Sequence, residues 1–389
     1  MSSRFGFEIV ASDAAARCGC LRLAHGEVQT PAFMPVGTRG AVRAVTTDAL
    51  ESLGAEIVLA NTYHLHLRPG DDLVARRGGL HAFMGWTKPI LTDSGGYQVF
   101  SLASRRTLDE AGVVFRSHLD GAEHRLTPES VVDIQARLGS DVAMMLDECP
   151  SWPARTEETE AAVLRTLRWA RRGRDRFMAL AGGGDPAVPR STPGQVQFGI
   201  VQGGTDKAWR DRSVAGTLAV GFEGYAIGGL SVGEPVETMY DVVAHTAAQL
   251  PADRPRYLMG TGTPEDLVES VARGIDLFDC VLPTRNARNG QLFTRRGPIA
   301  IKNAQYAEDD RPIDPACDCP VCRRHSRAYL RYLFVAGEMN AATLNTLHNL
   351  HFYLDTMREI REAIKFGTFG KFRKAFLETY SRQPIHLHD

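Results

Sequence analysis

The sequence has no long apolar run, no excess of one charge and no even set of cysteines, and each lack closes off a class of protein. No window reaches the roughly 18 uninterrupted apolar residues that span a bilayer. The N-terminal stretch, with Arg4, Glu8 and Asp13, has no apolar core of the secretory kind. No membrane association is expected, and the expected location is the cytoplasm. Lys and Arg total 45 against 46 Asp and Glu, a net charge of −1. No global positive field therefore announces a nucleic-acid partner, which would have to be read from local patches. Seven cysteines without an export signal argue against a disulfide framework. Internal repeats and long low-complexity tracts are also lacking. What remains is ordinary for a globular chain: 43% hydrophobic and 23% charged residues over 389 positions. That length suits about two to three domains of ~150 residues, or one large α/β barrel with an addition.

Short β-rich runs alternate with helix-patterned segments. The runs are Thr30–Val36, Ile57–Asn61, Ile90–Asp93, Val142–Asp147, Phe198–Gln202, Tyr225–Gly228, Arg256–Met259 and Leu277–Leu282. Each is apolar on both faces, as strands covered on both sides must be. Helix patterns over Thr47–Leu53, Asp71–Arg77, Thr127–Leu138, Asp206–Val220, Pro235–Leu250 and Pro264–Arg273 lie between them. Several open on a capping residue followed by proline, as in Thr127-Pro128 and Thr263-Pro264. Eight such units predict a closed (β/α)8 barrel, with an open doubly wound sheet as the alternative. Alternation around Asp120-Gly121 predicts a β-type insertion after the third strand, within Tyr97–Leu126. The Gly- and Pro-rich stretch Ala181–Gly194 predicts a mobile loop. The arginines of Arg165–Arg176 read as a solvated helix face. The expected division is a barrel with an N-terminal extension over residues 1–285, and a cysteine-bearing subdomain over 286–389. Its helices are expected over Ala328–Val335, Ala341–Tyr353 and Asp355–Lys374 and pack on the barrel.

Three features carry chemistry. Cys317, Cys319 and Cys322 offer three thiolates on one turn, the start of a tetrahedral zinc site. The fourth ligand is open among His325, His348 and His351, with His348 favoured because it projects from a following helix. Four protein ligands would make the ion structural. Cys18 and Cys20 lack a third partner and read as part of an N-terminal strand. Secondly, Asp93, Asp147 and Asp279 end separate strands, and in a barrel those ends converge on one mouth. Paired acids there suit chemistry at an anomeric carbon. Gln202 and the glycines around it could face a planar heterocycle, and Asp93-Ser94-Gly95-Gly96-Tyr97-Gln98 adds an aromatic platform. Thirdly, residues 281–335 hold 10 Lys and Arg against 5 Asp and Glu, 10 − 5 = +5, a candidate phosphate footprint directly after Asp279.

These motifs carry a resemblance. The Asp93–Gln98 turn, Leu146–Glu148, Ile200–Gly204, Ala226–Glu234, Tyr257–Asp266, Asp279–Gly290 and the cysteine run together, in order along nearly the whole chain, resemble the bacterial tRNA-guanine transglycosylase family. The resemblance implies a (β/α)8 barrel with a zinc-bearing insertion. It implies that Asp279 attacks C1′ of the ribose at the tRNA wobble position and that Asp93 is the general acid and base. It also implies that Asp147, Gln202 and Gly229 bind the base, with Ser94, Gly95, Gly96 and Tyr97 beside them, and that Cys317, Cys319, Cys322 and His348 hold one Zn2+ per subunit. RNA contacts are implied at Gly260, Thr261, Gly262, Thr263, Pro264, Glu265 and Asp266, and at Thr284, Arg285, Asn286, Ala287 and Arg288. Val232 and Cys149 match the bacterial pattern, which implies 7-aminomethyl-7-deazaguanine as the incoming base, and the family implies a homodimer. Rival readings are a barrel that hydrolyses a free nucleoside or glycoside, and a zinc-stabilised RNA-binding protein without catalysis.

Overall fold

The computed structural model describes residues 5–102 and 106–380. The extreme ends of the two expected domains, residues 1–4 and 381–389, and residues 103–105 of the expected insertion lie outside the described residues. Eight parallel strands close into a barrel: Ala32–Gly37, Val58–Ala60, Ile90–Thr92, Val142–Met144, Val196–Val201, Gly224–Ile227, Arg256–Leu258 and Leu277–Cys280. The last pairs with the first in the register Leu277↔Ala32 through Cys280↔Pro35, which excludes the open sheet. Each strand falls within or against one of the expected runs, and nearly every strand residue is buried.

Local chemistry sets the helix starts. Thr127 and Ser130 bond reciprocally through side chain and backbone, with Pro128 opening the helix Pro128–Leu138. Thr263 accepts from the Asp266 N–H at the start of Pro264–Val271. Asp206 accepts from the Ala208 and Trp209 N–H groups at the start of Lys207–Val220.

Ahead of the barrel stands a three-stranded antiparallel sheet, Gly6–Asp13, Ala16–Leu23 and Gly26–Thr30, and Cys18 and Cys20 lie on its middle strand. The insertion after the third barrel strand begins with a helix, Gly96–Leu102, so Tyr97 is helical rather than part of the β-type run. The strands Arg106–Leu108, Val113–Arg116 and Glu123–Leu126 follow, with the Asp120-Gly121 hairpin where alternation placed it.

Four expectations need correction. The arginines of the helix Thr156–Ala181 do not form a simple solvated face. Arg165, Arg168, Arg172, Arg174 and Arg176 pair with Glu148, Glu110, Glu129, Glu223 and Asp133 on neighbouring elements. Stretch 181–194 is irregular but tethered: Val188 and Thr192 are buried, and Thr192 Oγ1 donates to Gly139 O at 2.6 Å. The C-terminal helices do not break near Leu354. One helix runs Met339–Lys365, and the next, Phe369–Thr379, follows only after Gly367, at φ +64°. No helix breaker stands at 354–355, whereas Gly367 takes a left-handed turn at low steric cost. Finally, the run Leu277–Leu282 is strand only as far as Cys280, and the chain is helical from Leu282 to Arg288.

The long helix joins two packed regions. Leu350, Tyr353, Met357, Ile360 and Ile364 share the barrel's apolar core. A smaller core of Leu292, Ile301, Ile313, Val321 and Leu330 lies around Cys319 and Cys322. No helix among the described residues is long and apolar enough to cross a membrane.

Candidate active site and metal centre

The C-terminal ends of the strands open on a cavity of about 290 Å³ whose walls include Asp93, Asp147, Gln202, Gly229, Tyr257 and Asp279. The three aspartates come from the third, fourth and eighth strands or the residues just past them, so the closed barrel alone brings them together.

Asp279 is held through one oxygen. Tyr257 Oη donates to its Oδ1 at 2.5 Å and the Gly260 N–H at 2.8 Å. Burial pushes its carboxyl above the ordinary range, against those two hydrogen bonds. Asp93 accepts from the Thr62 N–H at 2.9 Å, the Gly95 N–H at 3.1 Å and the Asn61 amide. Burial still dominates and, with the nearby charge of Asp279, pushes Asp93 up to about 7. Asp147 accepts from Gln202 Nε2 at 2.6 Å and Ser94 Oγ at 3.2 Å, and burial pushes it up to about 6. Carboxyls whose proton affinities lie this near neutrality are suited to exchanging protons at ordinary pH.

Gln202 is buried, donates to Asp147, and keeps its Oε1 as a buried acceptor with no partner among the described residues. Such an atom costs free energy unless a ligand donates to it. Gly229, at φ +67°, lies against it, and a Cβ at 229 would stand 2.3 Å from Gln202 Oε1. A side chain there would close the cavity. Gly96 N–H donates to Ser94 Oγ at 3.2 Å, and Tyr97 stands exposed at the rim. Cys149 and Val232 also line the cavity.

Sequence reasoning missed several of the supporting groups. Asn61, Thr62 and Tyr257 are ordinary in type, and their role appears only once the second, third, seventh and eighth strands are adjacent. Arg210 is fully buried and donates to Gly204 O at 2.9 Å, Val201 O at 2.8 Å and Gly228 O at 2.8 Å. It binds the loops after the fifth and sixth strands without a carboxylate partner. Burial lowers its pKa to about 10, so it stays a cation.

The expected RNA-facing residues separate into exposed and supporting ones. Thr261, Pro264, Glu265 and Asp266 are buried, Asp266 accepts from Tyr240 Oη at 2.6 Å, and Gly262 O accepts from Tyr353 Oη at 2.6 Å. Thr284, Asn286 and Ala287 are buried too, whereas Gly260 is exposed and Thr263, Arg285 and Arg288 are partly so. Of the +5 patch, Arg295 is neutralised from outside by Asp355 and Glu359, while Arg311 and Arg327 pair with Asp309 and Arg323 with Asp318, acids already counted in that sum. Instead, Arg43 from the loop after the first strand joins Arg285 at Arg288; burial and these two charges lower the Arg288 pKa. Arg43 was not anticipated, because 245 residues of sequence separate it from Arg288.

At the cysteine turn, His348 Nδ1 lies 3.9, 3.5 and 3.4 Å from the sulfurs of Cys317, Cys319 and Cys322. Ligands on a tetrahedral zinc with bonds of ~2.3 Å to sulfur and ~2.0–2.1 Å to nitrogen lie about 3.5 Å apart, so the four residues fit such an ion. His348 Nε2 donates to Phe293 O at 2.7 Å, leaving the Nδ1 lone pair aimed at the sulfurs. His325 stacks on Tyr329 instead, and His351 meets Asp318 at 3.0 Å. These four residues can hold a metal ion, and the set is closed.

The family description "Queuine tRNA-ribosyltransferase" matches residues 12–382. A curated protein of that name from Nitratidesulfovibrio vulgaris is 55% identical over 379 residues, covering 97% of this chain and 98% of its own. One from Aromatoleum aromaticum is 57% identical over 370 residues, covering 95% and 97%. Another from Sphingopyxis alaskensis is 53% identical over 382 residues, covering 98% and 100%. The chain belongs to the queuine tRNA-ribosyltransferase family, and so to the pentosyltransferases.

Proposed function

We propose that this family member acts as a tRNA-guanine transglycosylase in queuosine synthesis, exchanging the wobble guanine of a tRNA anticodon for 7-aminomethyl-7-deazaguanine by double displacement. The observation that carries the reading is the pairing of two unlike carboxyls on one cavity. Asp279 spends both hydrogen bonds on Oδ1, which leaves Oδ2 for attack, and Asp93 has its carboxyl pushed up to about 7.

A lone pair of Asp279 forms a bond to C1′ of the ribose, the C1′–N9 bond breaks, and the departing guanine takes the Asp93 proton. The incoming base then gives its N9 proton to Asp93, N9 bonds to C1′, and the bond from C1′ to Asp279 breaks. Asp147, Gln202 and the Gly229 backbone hold the edge of the base, Ser94, Gly95 and Gly96 shape its seat, and Tyr97 offers a stacking face. Water must be kept out, because hydrolysis of the covalent intermediate would leave an abasic site. The wobble nucleotide leaves the anticodon stack to enter, which a single-stranded loop makes inexpensive.

Arg285, Arg288 and Gly260 face the flanking RNA. The buried members of 260–266 and 284–288 hold those groups in place. Val232 and Cys149, both against the cavity, favour the aminomethyl precursor over the bulkier queuine. Cys317, Cys319, Cys322 and His348 would hold one structural Zn2+ per subunit, which would tie the cysteine turn to the long helix and take no part in the chemistry. The two functional regions are residues 1–285 and 286–389, the working form is a homodimer, and the location is the cytoplasm.

Incubation with labelled guanine and unmodified tRNA tests the activity. Incorporation is expected, and its absence beside an active control overturns the reading. Release of guanine from a free nucleoside would favour a hydrolase instead. Metal analysis of the wild type and of Cys319→Ser tests the zinc: one equivalent falling to none is expected.

A further inference from the structure

A buried cation stands behind the base cavity, and the proposed exchange does not use it. Arg210, near the start of the helix Lys207–Val220, donates to three main-chain oxygens, those of Val201, Gly204 and Gly228. Among the described residues no carboxylate pairs with it. The nearby groups that favour its charge are Cys149 and Glu234. Burial pushes the Cys149 thiol up to about 12, so it is neutral at ordinary pH, and the Glu234 carboxylate accepts from the Ser231 and Val232 N–H groups instead. An unpaired charge is expensive to keep out of water. Holding loop carbonyls in place does not by itself require one, since neutral amides donate to carbonyls as well.

The Gly228 oxygen gives the charge a route to the cavity. Gly228 and Gly229 both line that cavity, and the peptide between them is trans. In a trans peptide the C=O and the N–H point opposite ways. The carbonyl meets Arg210 Nη2 at 2.8 Å, so the Gly229 N–H is directed away from the guanidinium, and it has no acceptor among the described residues. A donor at the oxygen polarises the conjugated amide and makes the N–H at its other end a stronger donor. The Gln202 amide closes on the same peptide: a Cβ on Gly228 would stand 2.7 Å from its Nε2, and one on Gly229 2.3 Å from its Oε1. Two glycines therefore keep the polarised peptide bare toward the base.

We propose that Arg210 is a positioning residue for base exchange, whose charge, carried through the Gly228–Gly229 peptide, stabilises negative charge on the base while the C1′–N9 bond breaks or forms. This role rests on the exchange proposed above. When that bond breaks, its electron pair passes into the guanine ring, which is anionic until the Asp93 proton reaches it. The same charge returns when the incoming base gives its N9 proton to Asp93 before bonding to C1′. The carbonyl on the base edge takes up part of that charge, and the Gly229 N–H donates to it. A neutral bound base gains less from the same donor, so the effect falls on turnover more than on binding.

The test compares Arg210→Lys, which keeps the charge with fewer donors, with Arg210→Gln, which keeps N–H donors without the charge. Labelled-guanine exchange into tRNA is measured per active site, with sites counted by the end-point yield of denaturation-resistant protein–RNA adduct. Arg210→Gln should lose about 10- to 100-fold in kcat while its KM for guanine stays within about threefold of wild type. Arg210→Lys should stay within about fivefold of the wild-type kcat, even though its single ammonium cannot span three carbonyls and its Tm falls. Equal losses of kcat in the two variants, an unchanged kcat in Arg210→Gln, or a KM that rises as far as kcat falls would each overturn the role of Arg210 while wild-type exchange leaves the function standing. Absence of exchange in wild type would overturn the function and this role with it. If Arg210→Gln gives no adduct because it does not fold, Arg210→Lys decides: a kcat reduced by more than about fivefold overturns the role, and a smaller change at a lowered Tm supports it.

Discussion

The two ends of the barrel surround the same residue type with different donors. At the floor, Asp276 takes the Arg17 guanidinium at 2.9 and 2.5 Å and the Arg256 N–H at 2.7 Å, all from fixed donors, although burial still pushes its carboxyl up. Asp141 is likewise surrounded: burial works against its anion, yet hydrogen bonds from His25 and His81 and the Ile90 N–H hold it down to about 2. At the mouth, Asp93, Asp147 and Asp279 meet only neutral donors, and burial pushes each of them up. Saturation with cations or imidazoles turns a buried carboxylate into a fastener. Burial among neutral donors beside an open cavity leaves it able to bind and release a proton.

The sharpest way to break this contrast is at the nucleophile. Asp279→Asn keeps the shape and the Tyr257 contact but removes the attacking charge, so labelled-guanine exchange should fall by roughly 10³-fold or more. The denaturation-resistant protein–RNA adduct expected of the wild type should vanish with it. The floor should fail differently. Arg17→Met strands the buried Asp276 carboxylate and should cost about 3–5 kcal/mol in chemical denaturation. The kcat of the fraction that stays folded should be unaltered.

Tyr257→Phe sits between these extremes. It removes one hydrogen bond to a charged group, worth ~1.5–3 kcal/mol, so exchange should drop about 10- to 100-fold with little change in fold. The smallest effect concerns pH. Asp93 has a folded pKa of about 7, above its unfolded value of 3.8, so the folded chain resists its ionisation. The resulting loss of stability sets in as pH rises above the unfolded value and is complete above the folded one. Asp93→Asn removes it, so the variant should gain Tm over wild type at pH 8 and much less at pH 4 while losing exchange activity. An equal gain at both values would show that Asp93 is not held neutral by its surroundings.

Much of the barrel was legible because its strands are buried on both faces, which writes continuous apolar runs such as Ile57–Asn61 and Leu277–Leu282 into the sequence. The polar residues at or near the ends of those runs marked the mouth, so Asp93, Asp147 and Asp279 could be chosen before any fold was known. The cysteine turn was legible for a similar reason, since three of its ligands lie within six positions. The C-terminal helices were misdivided because the apolar pattern continues through Leu354 and carries no mark of where packing passes from the small core to the barrel. The local charge of residues 281–335 misled because the partners of Arg295 lie at Asp355 and Glu359, outside that window.

The sequence by itself determined the fold class, the three mouth aspartates and the cysteine half of the metal centre, because local patterning and spacing encode each of them. Tertiary structure alone decided which carboxyls keep their protons, which arginines remain to face a polyanion, and which histidine meets the sulfurs. Those outcomes depend on distances between segments far apart in the chain, and on how much water each group keeps once the barrel closes.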